Sequence, residues 1–286
     1  MGLFPLIGGD ARIAYKIAAI IPNGKTFVEA FGGAGSLTLH LAEKATFREM
    51  VWNDLDPLYY NSFKLIKYYP ESIELIQRIL VKLSKCLSPD ERKATKQILK
   101  EVRSKLLEGS IEWPWDAVWT IVLHNACHIP WRSGLMLKWT YCPRRYLYLR
   151  GKLLKHHRLL QKVSLRKVSL RNEDALDLLL EMDGENVVFY VDPPHLTCSC
   201  WKTGYYRLEF SPEKAGELDE VLRRLKGRVL VKLSPSDLEH YKLTESWRCV
   251  RLDYPKDSKV DRARSIGEYR FYTNYSPPVC SSMALG

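Results

Sequence analysis

Asp192-Pro193-Pro194-His195 is the run in this 286-residue chain whose residue types are best suited to chemistry. It follows Asn186-Val-Val-Phe-Tyr-Val191, an apolar stretch that reads as a buried strand. Two prolines fix the backbone, so the Asp192 carboxylate and the Pro193 carbonyl can present two acceptors in one rigid geometry. Acceptors held that way suit an amino group with two hydrogens. A second run, Phe31-Gly32-Gly33-Ala34-Gly35, lies between a short apolar strand (Thr26 to Phe31) and a helix beginning near Ser36. Glycines there let the backbone turn tightly and approach a ligand at the helix N-terminus. Asp54 closes the next strand, where a carboxylate can accept hydrogen bonds from ribose hydroxyls, and Glu29 adds a second acid nearby. A dinucleotide fingerprint would need a third glycine at position 38, where Thr38 stands, so a nicotinamide dinucleotide is disfavoured. His195, Cys198 and Cys200 have the spacing of soft metal ligands, but no fourth ligand is evident and no metal is expected.

These residues need a scaffold that brings strand ends together. Ala11 to Ile21 has helical apolar spacing, and Glu49 to Asp54 reads as a second strand after the helix Ser36 to Lys44. Strand, glycine turn, helix, strand is the unit of a parallel α/β sheet. From Tyr59 to about Leu107 the chain reads as helical, with breaks at Pro70 and Pro89. Trp113 to Leu160 reads as aromatic, basic and irregular, and the cluster Trp113, Trp115, Trp119 as core. The α/β pattern then resumes: Val168 to Arg171 as a strand, Asp174 to Met182 as a helix, and the strand that ends at Asp192. Ser211 to Leu225 follows as a helix opened by Ser-Pro-Glu, with Arg228 to Leu233 and Glu268 to Thr273 as strands. The expected organisation is one α/β domain, residues 1–66 and 161–276, split by a basic helical insert at 67–160. The tail 277–286 reads as disordered.

Composition narrows the classes. At 46% hydrophobic and 27% charged, the chain has the make-up of a soluble globular protein. No apolar run approaches the roughly 20 residues of a membrane span, so no membrane partner is expected. The N-terminus lacks the features of a secretion signal, and seven irregularly spaced cysteines read as reduced thiols, so a cytoplasmic location is expected. The net charge of +11 is uneven: no acid lies between Asp116 and Glu173, a segment holding twelve basic residues. Among them are Arg132, Lys138, Arg144, Arg145, Arg150 and Lys152, interleaved with tyrosines, tryptophans and histidines. A merely soluble face mixes both signs, so this segment reads as a polyanion-binding surface.

In order along the chain, Gly8-Gly9, Phe27-Val-Glu-Ala-Phe-Gly-Gly-Ala-Gly-Ser36, Asn53-Asp54-Leu-Asp-Pro57, Asn172-Glu-Asp174-Ala and Asp192-Pro-Pro194 form a recognisable set. Phe210-Ser-Pro-Glu213, Val229-Leu-Val-Lys-Leu-Ser234 and Thr273-Asn-Tyr275 continue it. The set resembles the Dam-like (D12 class) adenine-N6-specific DNA methyltransferases over nearly the whole chain. Two residues depart from that family: Asp10 stands where it has lysine, and His195 where its catalytic motif ends in an aromatic residue.

The resemblance implies a Rossmann-like class I S-adenosylmethionine-dependent methyltransferase sheet with an inserted, basic target-recognition lobe. It implies S-adenosyl-L-methionine as cofactor, held by Gly8, Gly9, Glu29, Phe31, Gly32, Gly33, Gly35, Asp54, Asp174 and Asp192. It assigns methyl transfer to N6 of a flipped-out adenine to Asp192, Pro193, Pro194 and His195. Double-stranded DNA is the expected partner, gripped by the basic segment, and a cognate restriction endonuclease is a further one. Two alternatives stay open: a methyltransferase-like DNA-binding protein without transfer activity, and an adenine methyltransferase acting on RNA. The sequence leaves the oligomeric state undetermined.

Overall fold

Short apolar runs form the strands, and several of the helices between them start at capping residues. The computed structural model describes residues 2–3, 10–84, 88–126, 143–161, 167–196, 208, 210–255 and 266–278. A 3₁₀ turn at Asp10–Arg12 leads into α1 (Ala14–Ile20), β1 (Thr26–Glu29), α2 (Ser36–Lys44) and β2 (Glu49–Asn53). Four helices follow together: α3 (Pro57–Tyr68), α4 (Ser72–Ser84), α5 (Pro89–Glu108) and α6 (Trp115–Ala126). Then come α7 (Pro143–Gln161), β3 (Lys167–Arg171), α8 (Ala175–Glu181) and β4 (Val187–Val191). The chain closes with α9 (Pro212–Arg224), β5 (Arg228–Leu233), β6 (Arg248–Pro255) and β7 (Ile266–Thr273). Asp56, Ser88 and Ser211 each accept a backbone N–H at a helix start, with proline in the first turn.

The strands form one seven-stranded sheet in the order β3-β2-β1-β4-β5-β7-β6. The first five are parallel, and β7 runs antiparallel between β5 and β6. Alternation of period two splits the core into two layers. Phe27, Met50, Trp52, Val188, Tyr190 and Leu230 face the layer of α1 to α7. Val28, Val51, Phe189, Val191 and Val231 face that of α8 and α9. This is the expected Rossmann-like doubly wound architecture, and the order reverses between β1 and β4.

The sequence reading and the structure differ in three places. Between Trp113 and Leu160, expected to be irregular, lie α6 and most of α7. Leu149, Leu153, His156 and Leu160 fall at helical spacing and are buried, which a pattern crowded with arginine and tyrosine hides. Trp113 and Trp115 are exposed rather than core; Tyr69 meets Trp113 edge-on at 5.5 Å, while Trp119 does pack against the core. The strand β6 had no counterpart, because its half-exposed edge sequence alternates Arg248, Cys249, Val250, Arg251 without an apolar run. Helices α4 to α7, the span read as an insert, share one apolar cluster with α1, α2 and α3. The tail from residue 279 lies outside the described residues.

Candidate active site

The carboxyl ends of four adjacent strands each deliver one acid. In sheet order these are Asp174 after β3, Asp54 after β2, Glu29 at the end of β1 and Asp192 after β4. The row straddles the reversal between β1 and β4, where open α/β sheets leave a crevice for ligands. It is also the edge that carries the glycine turn.

Backbone and amide groups hold the β1–β3 side of this edge. Asn53 donates to the carbonyls of Ala30 and Glu173, both at 3.0 Å, and its Oδ1 accepts from the Glu173 N–H at 3.1 Å. Asn172 donates to the Asp54 carbonyl at 2.7 Å and to that of Leu55 at 3.0 Å. The glycine turn is pressed onto β2 and α3. A Cβ at Gly32 would lie 2.1 Å from the Trp52 ring nitrogen, and one at Gly35, with φ +62°, 2.4 Å from the Phe63 ring. Phe31 meets Phe210 edge-on at 5.8 Å.

The acids are fixed in this frame. Asp54 accepts from the Gly33 N–H at 2.7 Å and the Asp56 N–H at 2.9 Å, and burial lifts its carboxyl to about 7 despite both donors. Glu29 accepts from the Thr38 N–H at 3.1 Å and from its hydroxyl, and burial lifts it to about 8. Asp174 caps α8 through the Leu176 N–H at 2.9 Å and meets Lys214 at 3.3 Å. Thr38, where a dinucleotide turn would have glycine, thus ties Glu29 to α2.

Charges hold the β4–β5 side. The buried Lys232 ammonium lies 3.0 Å from Asp192 Oδ2 and 2.7 Å from Asp10 Oδ1. The Tyr190 hydroxyl donates to Asp10 Oδ2. Burial pushes the Asp192 carboxyl up to about 6 against the pull of Lys232. Burial alone would lower Lys232, but Asp10 and Asp192 outweigh it and hold the ammonium well above its ordinary value. Pro193 is buried and Pro194 half-buried. His195 Nδ1 lies 3.4 Å from Oδ2 of the buried Asp237, and Ser236 donates to Asp237 Oδ1 at 3.1 Å.

The edge therefore brings together Glu29, Phe31, Gly32, Gly33, Gly35, Asp54, Asp174, Asp192, Pro193, Pro194 and His195. Gly8, Gly9, Arg132 and Lys138 lie outside the described residues. Arg144 and Arg145 occupy the first turn of α7, with side chains outside the description. Arg150 meets Glu74 at 3.4 Å, and Lys152 lines a groove between α2 and α7 with Leu39, Glu43 and Lys155. Sequence reasoning missed Lys232, Asp237 and Asn53 as site residues. A lysine inside the apolar run Val229 to Leu233 was the available signal, since a buried charge requires partners. Among the described residues no cluster of His, Cys, Asp or Glu could hold a metal, and no described helix is long and apolar enough to cross a membrane.

Residues 7–107 match the family of D12 class N6 adenine-specific DNA methyltransferases. The matched span contains the glycine turn, Glu29 and Asp54, and ends before Asp192. No curated protein matches the chain. Solved structures similar to it include an rRNA methyltransferase from Streptomyces viridochromogenes, 12% identical with a TM-score of 0.36, covering 94% of this chain and 85% of that one. A putative methylase from Haemophilus influenzae is 11% identical with a TM-score of 0.37, covering 96% of each chain. A putative methyltransferase from Streptococcus mutans in complex with SAH is 8% identical with a TM-score of 0.35, covering 91% of this chain and 94% of that one.

Proposed function

We propose that this chain is an S-adenosylmethionine-dependent methyltransferase that methylates N6 of an adenine flipped out of double-stranded DNA. The observation that carries the reading is the placing of Asp192-Pro193-Pro194 beside the glycine turn, across the β1–β4 reversal, with one Asp192 oxygen held by Lys232. The family match over residues 7–107 supports it from the other side of the crevice.

The row of four acids suits the cofactor's chemistry, which joins a ribose diol to a cationic sulfonium and an ammonium. Asp54 would accept from the ribose hydroxyls, Glu29 and the turn Phe31–Gly35 would hold the methionine end, and Asp174 would lie by the adenine. The bound cofactor supplies an electrophilic methyl group. Adenine N6 is a poor nucleophile because its lone pair is delocalised into the ring. Asp192 and the Pro193 carbonyl would accept its two N–H groups and turn that lone pair toward the methyl, so alignment and electrostatics do the work. His195, backed by Asp237, would stack on the extruded base, since imidazole can stack although its face is small.

DNA would be gripped by the basic residues of α7 and the segment before it. The far end of α7 is tied to α3, with Gln161 donating to the Lys67 carbonyl, and Lys67 donates to the Val168 carbonyl of β3. Arg144 and Arg145 therefore stand at the other end of a rod of about 28 Å. Transfer of labelled methyl from the cofactor to duplex DNA, with single-stranded DNA and RNA as competitors, tests the reading. Label in duplex adenine N6 supports it. Label in RNA alone would reassign the substrate, and no transfer to either would leave a binding protein.

A further inference from the structure

Parity and register place a lysine against the catalytic carboxylate. Tyr190 pairs with Leu230 and Val191 with Val231 across β4 and β5, so the next residues in register are Asp192 and Lys232. Tyr190, Leu230 and Phe271 face the layer of α1 to α7, and Lys232 shares that face by the two-residue alternation. There the 3₁₀ turn brings in Asp10. The ammonium lies 2.7 Å from Asp10 Oδ1, 3.0 Å from Asp192 Oδ2 and 4.3 Å from the centre of the Tyr269 ring. Asp10 is pinned in turn, because its second oxygen accepts from the Tyr190 hydroxyl.

The two carboxylates are not equivalent. The Asp10 side chain is 5% exposed, whereas that of Asp192 is 20% exposed and stands at the mouth of the crevice. One cation is thus divided between a closed anchor and an open working group. With Lys232 on Oδ2, the remaining oxygen of Asp192 is the one a substrate N–H would meet.

We propose that Lys232, anchored by Asp10, is a positioning residue that orients the Asp192 carboxylate toward the substrate amino group. The proposal rests on the methyltransferase reading for its catalytic consequence, but the pairing itself does not.

The groups facing Asp192 define the expected titration. Lys232 from β5 favours its charged form. Asp10 from the 3₁₀ turn and Glu29 from β1 disfavour it when ionised. His195 favours the charged form when protonated, and the Tyr190 hydroxyl is committed to Asp10. Removing Lys232 must therefore raise the Asp192 titration, and neutralising Asp10 must lower it by leaving the whole cation to Asp192.

The test follows the Asp192 carboxyl by carbon-13 NMR across pH in the ligand-free full chain, with D192N to assign the signal. K232M should move its midpoint up and D10N should move it down, since one variant removes a cation and the other an anion beside it. In the transfer assay at pH 7, K232M should lose roughly 100-fold in rate while cofactor affinity stays within about threefold, and raising the pH should restore only the part lost to protonation of Asp192. If K232M fails to fold, D10K/K232M supplies the cation from the other side without the competing carboxylate and should titrate below the parent, as D10N does. An unchanged midpoint in D10N, or shifts of one sign in both variants, would overturn the proposal. A parent without transfer activity would instead remove the methyltransferase reading, and opposed shifts would still stand for the pair.

Discussion

At the carboxyl edge of the sheet Lys232 meets Asp10 at 2.7 Å and Asp192 at 3.0 Å with none of its side chain exposed, whereas on α7 Arg150 meets Glu74 at 3.4 Å with about half of each side chain in water. Both regions pair basic with acidic groups, and the solvent between them differs. A buried ion repays its desolvation only through close geometry with every partner, so moving one partner disturbs all. An exposed pair is worth about 0–1 kcal/mol and tolerates change. The sheet edge uses charge to fix position, whereas the helical layer leaves its charge in solvent.

That comparison is broken most directly at Asp192. D192A should cut methyl transfer by about 1,000-fold, the scale of losing a preorganised electrostatic group. Cofactor affinity should stay within a few-fold, because Asn53, Asn172 and the glycine turn hold the other half of the edge without it. Rates measured alongside calorimetry check both parts. Parallel loss of transfer and binding would mean that the two halves of the edge are not separate devices.

How far these regions were legible in the sequence follows the same division. The glycine turn and the Asp192 loop announced themselves because each interrupts an apolar run, and a strand end is a local event. Lys232 was visible as an odd lysine in such a run. Its partners were not: Asp10 lies 222 residues away, and only the parallel register of β4 against β5 brings Asp192 opposite. Asp237 was hidden likewise, since it reaches His195 from a turn with no pattern of its own. On the helical side, twelve basic residues suggested a surface and masked a helix whose buried leucines have ordinary spacing. Trp113 and Trp115 misled in the other direction, because large aromatics are read as core, whereas both are exposed and Trp113 lies against Tyr69 at the end of α3.

The next largest effect is expected at Asn53, which shows that the edge needs buried amides as well as charges. N53A removes three hydrogen bonds joining the ends of β1, β2 and β3, and leaves the Ala30 and Glu173 carbonyls and the Glu173 N–H without this partner. A loss of about 2–4 kcal/mol in stability is expected, at about 1–3 kcal/mol per buried group left unsatisfied. Denaturant titration measures it. A change under about 0.5 kcal/mol would mean that the strand ends are held by the sheet ladder alone.

Asp54 comes third and carries a pH signature. D54A should weaken cofactor binding by about 1.5–3 kcal/mol, the worth of charge-assisted hydrogen bonds. Burial holds the Asp54 carboxyl at about 7 in the ligand-free site. As pH falls through that value the charged acceptor becomes a neutral one, so affinity should fall below pH 7 and be regained above it. D54N should abolish the limb centred there and leave one nearer 8, where Glu29 titrates. A limb that persists near 7 in D54N would assign it to another group.

The smallest effects belong to Arg150, and their smallness is the point. R150A should change stability by less than about 1 kcal/mol, because its pair with Glu74 is solvated. If its charge serves DNA, neutralising it should make the slope of log affinity against log salt shallower by about 0.9, the release of one counterion. E74Q removes the competing carboxylate, so it should tighten DNA binding at low salt, and the gain should fade as salt screens it. Opposite effects of R150A and E74Q on DNA, with near-neutral effects on folding, would establish that the helical layer holds its charge for a partner. Equal and negligible effects on binding would make the Arg150–Glu74 pair a solvated surface contact and move the DNA path toward Arg144 and Arg145 at the start of α7.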